Sequence, residues 1–273
     1  LTPGNLLDVL TDSSILAILV MGQMVVLLTK GIDLSVASNL ALTGMFCAVM
    51  GKAFPTLNAV DLVAMALIFG ALLGLINGLL ITGFNLPPIV VTLGTMSLIN
   101  GLCVWLTRGK PIAGFPEAFQ ALGSAQWLGL PLPFWIFAAV CLLVGLYLGS
   151  TRHGLAIRMV GSNAEAPRHA GIATRRVLIG VYTLSTLLCW IAAVLMMARF
   201  NSARMGYGDS YLLLTVLALT ALLAATVDTA CDALLIRTLP ERRRQDGSTV
   251  QIAGGYAGTA LGSGLFTLLS GWT

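Results

Sequence analysis

Leu62-Val63-Ala64-Met65-Ala66-Leu67-Ile68-Phe69-Gly70-Ala71-Leu72-Leu73-Gly74-Leu75-Ile76-Asn77-Gly78-Leu79-Leu80-Ile81-Thr82 decides the fold. No charge interrupts it, and it has the ~20 residues that a helix needs to cross the hydrocarbon of a bilayer. Gly70, Gly74 and Gly78 recur every four residues, a spacing that lets helix backbones approach closely. Seven further apolar runs flank this one: Ile15–Thr29, Leu34–Met50, Pro87–Thr107, Leu132–Gly149, Val177–Ala198, Tyr211–Ile236 and Ile252–Leu269. The first two are short and are joined only by Lys30–Asp33; the last is Gly-rich and weak. The pattern predicts an all-α, polytopic integral membrane protein with seven or eight spanning helices.

Composition agrees. Hydrophobic residues make up 57% of the 273 and charged residues 10%, against roughly 45–50% and 25% in soluble domains. Mean hydropathy is +0.92. Fifteen Lys and Arg and 11 Asp and Glu are too few to coat a soluble domain of this size. A disordered chain is excluded too. Net charge is +4, but the basic residues lie between apolar runs, so the charge marks membrane orientation rather than nucleic-acid binding. Cys47, Cys103, Cys141, Cys189 and Cys231 all fall in apolar runs without a CxxC pair. They read as small hydrophobes, with neither a disulfide framework nor a metal site expected.

Orientation follows from the distribution of Lys and Arg. With Ser150–Arg176 on the cytoplasmic side, the inner connections hold Lys30, Arg152, Arg158, Arg168, Arg175, Arg176, Arg237, Arg242, Arg243 and Arg244. The outer ones hold only Lys52, Arg108, Lys110, Arg199 and Arg204. This places the polar lead, Leu1–Ser14, outside, which implies a further helix upstream. The long outer connection Arg108–Leu130 is expected to form a small cap or an interfacial helix.

Two motifs carry the chemistry. In Gly31-Ile32-Asp33-Leu34-Ser35-Val36, Asp33 stands where a carboxylate can accept a free N–H at the start of a helix and face its positive dipole end. Gly31 allows a tight reversal there. An N-cap in a short turn is the plainer account of the same residues. The second motif runs Gly161-Ser162-Asn163-Ala164-Glu165-Ala166-Pro167-Arg168-His169-Ala170-Gly171-Ile172. Asn163 can cap a short helix with Glu165 in its first turn, and Gly171 can end it. Such a helix, held off the membrane, can dock into a groove on a partner, although an ordinary amphipathic connector would look similar.

With Pro87-Pro88-Ile89-Val90-Val91-Thr92-Leu93-Gly94-Thr95-Met96 between them, these motifs resemble the permease subunits of ribose-type ABC sugar importers, in the branched-chain amino acid and sugar permease superfamily. The resemblance runs from about Leu1 to Leu223. It implies a single transmembrane permease domain over 1–273, in a bacterial inner membrane, with a cytoplasmic coupling loop at 150–176. It also implies three partners besides membrane lipid: an ATPase subunit, a periplasmic sugar-binding protein, and a second permease copy or homologue. Gly161, Asn163, Glu165, Ala166 and Gly171 match the coupling motif, while Pro167 and Ala37 depart from the family pattern. No cofactor is expected on this chain; ATP and Mg belong to the partner, and no G-x-x-x-x-G-K-[ST] loop is present.

Gln23, Asn39, Thr92, Ser97 and Asn100 are polar residues within spans and are candidates to line a sugar path, as is Asn77. Trp105 and Trp190 could offer aromatic faces. Residues 224–273 read as an atypical tail. There Asp228 and Asp232 share a helix face, and carboxylates within a membrane are costly and often functional. They admit two rival readings, an ion-coupled carrier and a membrane-embedded, metal-dependent transferase. Wet carboxylates beyond a helix end are the plainer account.

Overall fold

The computed structural model describes residues 2–162, 171–206, 214, 215 and 219. The chain divides into two compact units, Leu1–Ala218 and Leu219–Thr273. Among the described residues, six helices of the first unit are long and apolar enough to cross a membrane. They are α1 (Pro3–Leu27), α2 (Val36–Ala53), α3 (Ala59–Gly83), α4 (Pro88–Thr107), α6 (Leu132–Ser150) and α8 (Thr174–Phe200). Two shorter helices, α5 (Glu117–Ser124) and α7 (Arg152–Ser162), lie outside the spans. Apart from residues 214, 215 and 219, the run Tyr211–Ile236 lies outside the described residues, as do Ile252–Leu269, Asp228 and Asp232.

The spans begin and end where local chemistry dictates. Asn58 and Asp61 form a capping box at the start of α3, each side chain accepting the other's backbone N–H. Prolines occupy the first turns of α1, α4 and α6, where a missing N–H costs nothing. One expectation needs correction. The polar lead is helical: Thr2 caps α1 by accepting the Asn5 N–H. Asp8 and Asp12, the carboxylates of the lead, are drawn to Arg199 at the far end of α8, at 2.6 and 3.6 Å.

Arg108–Leu130 forms a cap. Strand β1 (Ile112–Ala113) pairs antiparallel with β4 (Ser202–Ala203), so the segment after α4 is tied to the end of α8. Strands β2 (Gln126–Trp127) and β3 (Leu130–Pro131) form a hairpin, turning at Leu128 and Gly129, both with positive φ. The Trp135 indole N–H donates to the Trp127 carbonyl at 3.0 Å. The Phe115 N–H donates to Asn201 Oδ1, also at 3.0 Å.

Helix α8 is the central post, packing against α3 most extensively and against α1, α2 and α5. The α3 contact depends on the glycine row. A Cβ at Gly70 would strike the Trp190 ring, and at Gly74 or Gly78 it would come within 2.7 Å of the α8 backbone at Thr183 or Ile179. Trp190 itself is fully buried, near the stacked rings of Phe46 and Phe69. By contrast, α4 and α6 present apolar side chains outward, among them Leu98, Trp105, Leu142 and Leu143. That is the arrangement expected where lipid or another membrane protein is the neighbour. Cys47, Cys103 and Cys189 are buried as expected, whereas Cys141 is exposed on the outward face of α6.

Candidate functional site

The first motif folds into a polar latch at the connector between α1 and α2. Asp33 Oδ1 accepts both the Ser35 N–H, at 2.9 Å, and the Ser35 hydroxyl, at 2.6 Å. This is an Asx turn leading into α2. The Ser35 hydroxyl oxygen in turn accepts from two amides, Asn39 Nδ2 at 3.0 Å and Asn77 Nδ2 at 3.1 Å. One hydroxyl therefore joins the connector, α2 and α3. Gln23 Nε2 of α1 donates to the Asp33 carbonyl at 2.5 Å. The Thr92 hydroxyl of α4 reaches the Ile32 carbonyl at 3.4 Å, and Cys189 Sγ of α8 reaches the Val36 carbonyl at 3.4 Å. Five spans thus meet on residues 32–36.

Asp33 accepts a backbone N–H near the helix start, but the N-cap position of α2 belongs to Ser35. Lys30, not Gly31, takes the left-handed backbone, with φ of 59°. Gly31 serves close approach instead, since a Cβ there would come within 2.5 Å of the Tyr182 hydroxyl. Sequence reasoning missed Tyr182, a phenol among apolar residues of α8. Only its type and its place opposite a glycine could have signalled it.

The latch is costly to bury. Asp33, Asn39 and Asn77 are each about 1% exposed. Asp33 Oδ2, Asn39 Oδ1, Asn77 Oδ1 and the Tyr182 hydroxyl have no hydrogen-bond partner among the described residues. Burial pushes the Asp33 carboxyl above the ordinary carboxylate range, while the Ser35 hydroxyl and N–H pull it back. The arrangement holds backbone and clamps helices.

The other candidate residues fall elsewhere. Gln23, Asn39 and Thr92 are engaged in the latch. Ser97 is exposed on α4, its hydroxyl donating to the Leu93 carbonyl, and Asn100 is half-buried one turn on. Gly161 lies in the last turn of α7, so tight against the end of α1 that a Cβ would collide with the Leu28 carbonyl. Gly171 adopts φ of +67°, and Asn163, Glu165 and Ala166 lie outside the described residues. Helix α7 itself is anchored: its Gly154 N–H donates to the Thr151 hydroxyl, and Arg158 Nη1 donates to the Leu148 carbonyl at the end of α6.

Residues 5–272 match the family described as "Branched-chain amino acid transport system / permease component". This chain belongs to that family. The permease is 37% identical over 215 residues to the ribose import permease protein RbsC of Escherichia coli K12; the match covers 77% of this chain. It is 32% identical over 264 residues to the autoinducer 2 import system permease protein LsrD of Yersinia enterocolitica, covering 92% of this chain and 79% of that one. The RbsC match spans 66% of RbsC, just under two thirds of its length. No solved structure matches the permease. Six apolar helices and the family together make it a multi-pass membrane protein.

Proposed function

We propose that this permease is the membrane-spanning subunit of an ATP-driven importer for a simple sugar or a compound of similar size and polarity. The relatives' names support this, both being import permeases, one for ribose and one for autoinducer 2. The structural observation that carries the reading is the placement of α7. It leaves α6 at Ser150, packs against the end of α1 through Gly161, and delivers the chain into the Asn163–Gly171 motif. A push on that motif is therefore transmitted to two spans at once. ATP and Mg act on a separate ATPase subunit at the cytoplasmic face of a bacterial inner membrane, and a periplasmic binding protein supplies the solute at the opposite face. This chain contributes path and lever, with no covalent chemistry of its own.

A path formed by one copy would need an enclosed polar channel. Ser97 and Asn100 instead sit on α4, whose exposed face also carries Leu98 and Trp105. A second permease copy facing α4 completes the path in this reading.

The test is co-purification of the full-length permease with the ATPase encoded beside it, comparing wild type with Glu165→Arg. Retention by wild type and release by the charge reversal is the expected result. Absence of the ATPase from the wild-type complex would sink the importer reading.

A further inference from the structure

The described charges are divided unevenly between the two ends of the helix bundle. Asp8, Asp12, Asp61 and Glu117 all lie at the end that carries the cap, mixed with Lys52, Arg108, Lys110, Arg199 and Arg204. The other end holds Lys30, Arg152, Arg158, Arg175 and Arg176, and its one described carboxylate, Asp33, is buried in the latch. Arg152, Arg175 and Arg176 have no ion-pair partner among the described residues.

A cleft of about 350 Å³ opens at this basic end, between the last turn of α6, α7 and the first turns of α8. Tyr147, His153 and Arg176 line its polar side; Ile157 and Val177 line its apolar side. Exposed Gly180 also lines it, and a Cβ there would meet no atom within 4 Å. The wall helix α6 continues away from the cleft as an exposed apolar groove along Phe137, Cys141, Leu142 and Gly145. Unpaired cations at the edge of the spans, apolar walls beneath them and an open side make a site for a molecule with an anionic head and an apolar body.

We propose that this cleft binds an anionic phospholipid, with its phosphate against Arg176 and His153 and its acyl portion toward Val177 and α6. A zwitterionic lipid offers no net charge to answer the unpaired arginines. Inorganic phosphate could answer the charges but would leave the apolar walls uncovered. Ile172 and Ala173, which follow Gly171 in the chain, form part of the same wall.

The test measures thermal stability of the full-length permease in detergent during titration with phosphatidylglycerol, phosphatidylcholine or inorganic phosphate. Phosphatidylglycerol is expected to raise the melting temperature, with the other two leaving it unchanged. Arg176→Gln is expected to weaken phosphatidylglycerol binding about fivefold, as for one charge near a membrane surface. Gly180→Leu is expected to abolish the response by filling the cleft. Arg176 is exposed and has no ion-pair partner among the described residues, so its variant keeps the test valid if the leucine variant fails to fold. Equal phosphatidylglycerol responses in wild type and Arg176→Gln would overturn the proposal. So would equal protection by phosphatidylcholine, which would mark an apolar cleft only, or by inorganic phosphate, which would mark a site for soluble anions.

Discussion

The α1–α2 connector and helix α4 touch through a single hydrogen bond, from Thr92 to Ile32, yet they follow opposite rules. The connector gathers a carboxylate, two amides and a hydroxyl into the interior. Helix α4 turns Leu93, Leu98 and Trp105 outward. In water this pattern would be inside out. In a bilayer, lipid is as good a solvent for leucine as the protein interior is, so apolar side chains do not drive helices together. Small residues and polar bonds mark the contacts, and the greasiest surfaces face away.

Substitutions that treat the two regions alike should break this contrast if it is wrong. The largest effect is expected from Gly74→Leu, whose Cβ alone would lie 2.7 Å from the Thr183 backbone. Overpacking there should cost about 3 kcal/mol. Gly101→Leu on α4, where a Cβ meets nothing, should stay within about 0.5 kcal/mol of wild type. Melting temperatures of both variants in detergent check the pair. Next in size is Ser35→Ala. It removes the acceptor of two buried amides and a donor to Asp33, at a cost of about 2–3 kcal/mol. The same change at exposed Ser97 should be close to neutral for stability, within about 0.5 kcal/mol.

Asp33→Asn sharpens the comparison through pH. The folded carboxyl titrates above its unfolded value because it is buried. Folded and unfolded chains are both protonated below the unfolded value of about 4. As pH rises past it, the unfolded chain releases its proton first, so wild type should lose stability with rising pH until the folded carboxyl also ionises. The asparagine variant should lack this slope, and stability profiles from pH 4 upward would show it. A wild-type profile that climbs over this range would refute the assignment. The smallest effect belongs to the cap end, where Arg199→Gln removes contacts to half-exposed Asp8 and Asp12. A loss of about 0.5 kcal/mol, diminishing with added salt, is expected there.

The sequence was informative where a single physical rule governs. Long uncharged runs placed each of the six described spans to within a few residues, except the start of α1. That start was hidden because Asp8 and Asp12 owe their place to Arg199, nearly two hundred residues away in the chain. The glycine row on α3 announced a close helix contact but not its partner, α8. At the site, Asp33 and Ser35 were visible as a turn motif. Gln23, Asn39, Asn77 and Thr92 were visible only as polar residues in apolar helices, a chemistry shared by groups facing a solute and groups facing a neighbouring backbone. Deciding between those requires knowing which helices are adjacent, and two-residue strands such as β1 and β4 leave no periodicity to reveal it.

The glycine row has one more consequence, for how this contact can vary among descendants of the gene. At Gly70, Gly74 and Gly78 the α3 side offers only backbone, so it has no side chain to exchange. Any adjustment of the fit must be written on the α8 side, at Ile179, Tyr182, Thr183, Thr186 or Trp190. A saturation library across both helices should therefore return a lopsided record, with blank positions on α3 and a readable history on α8.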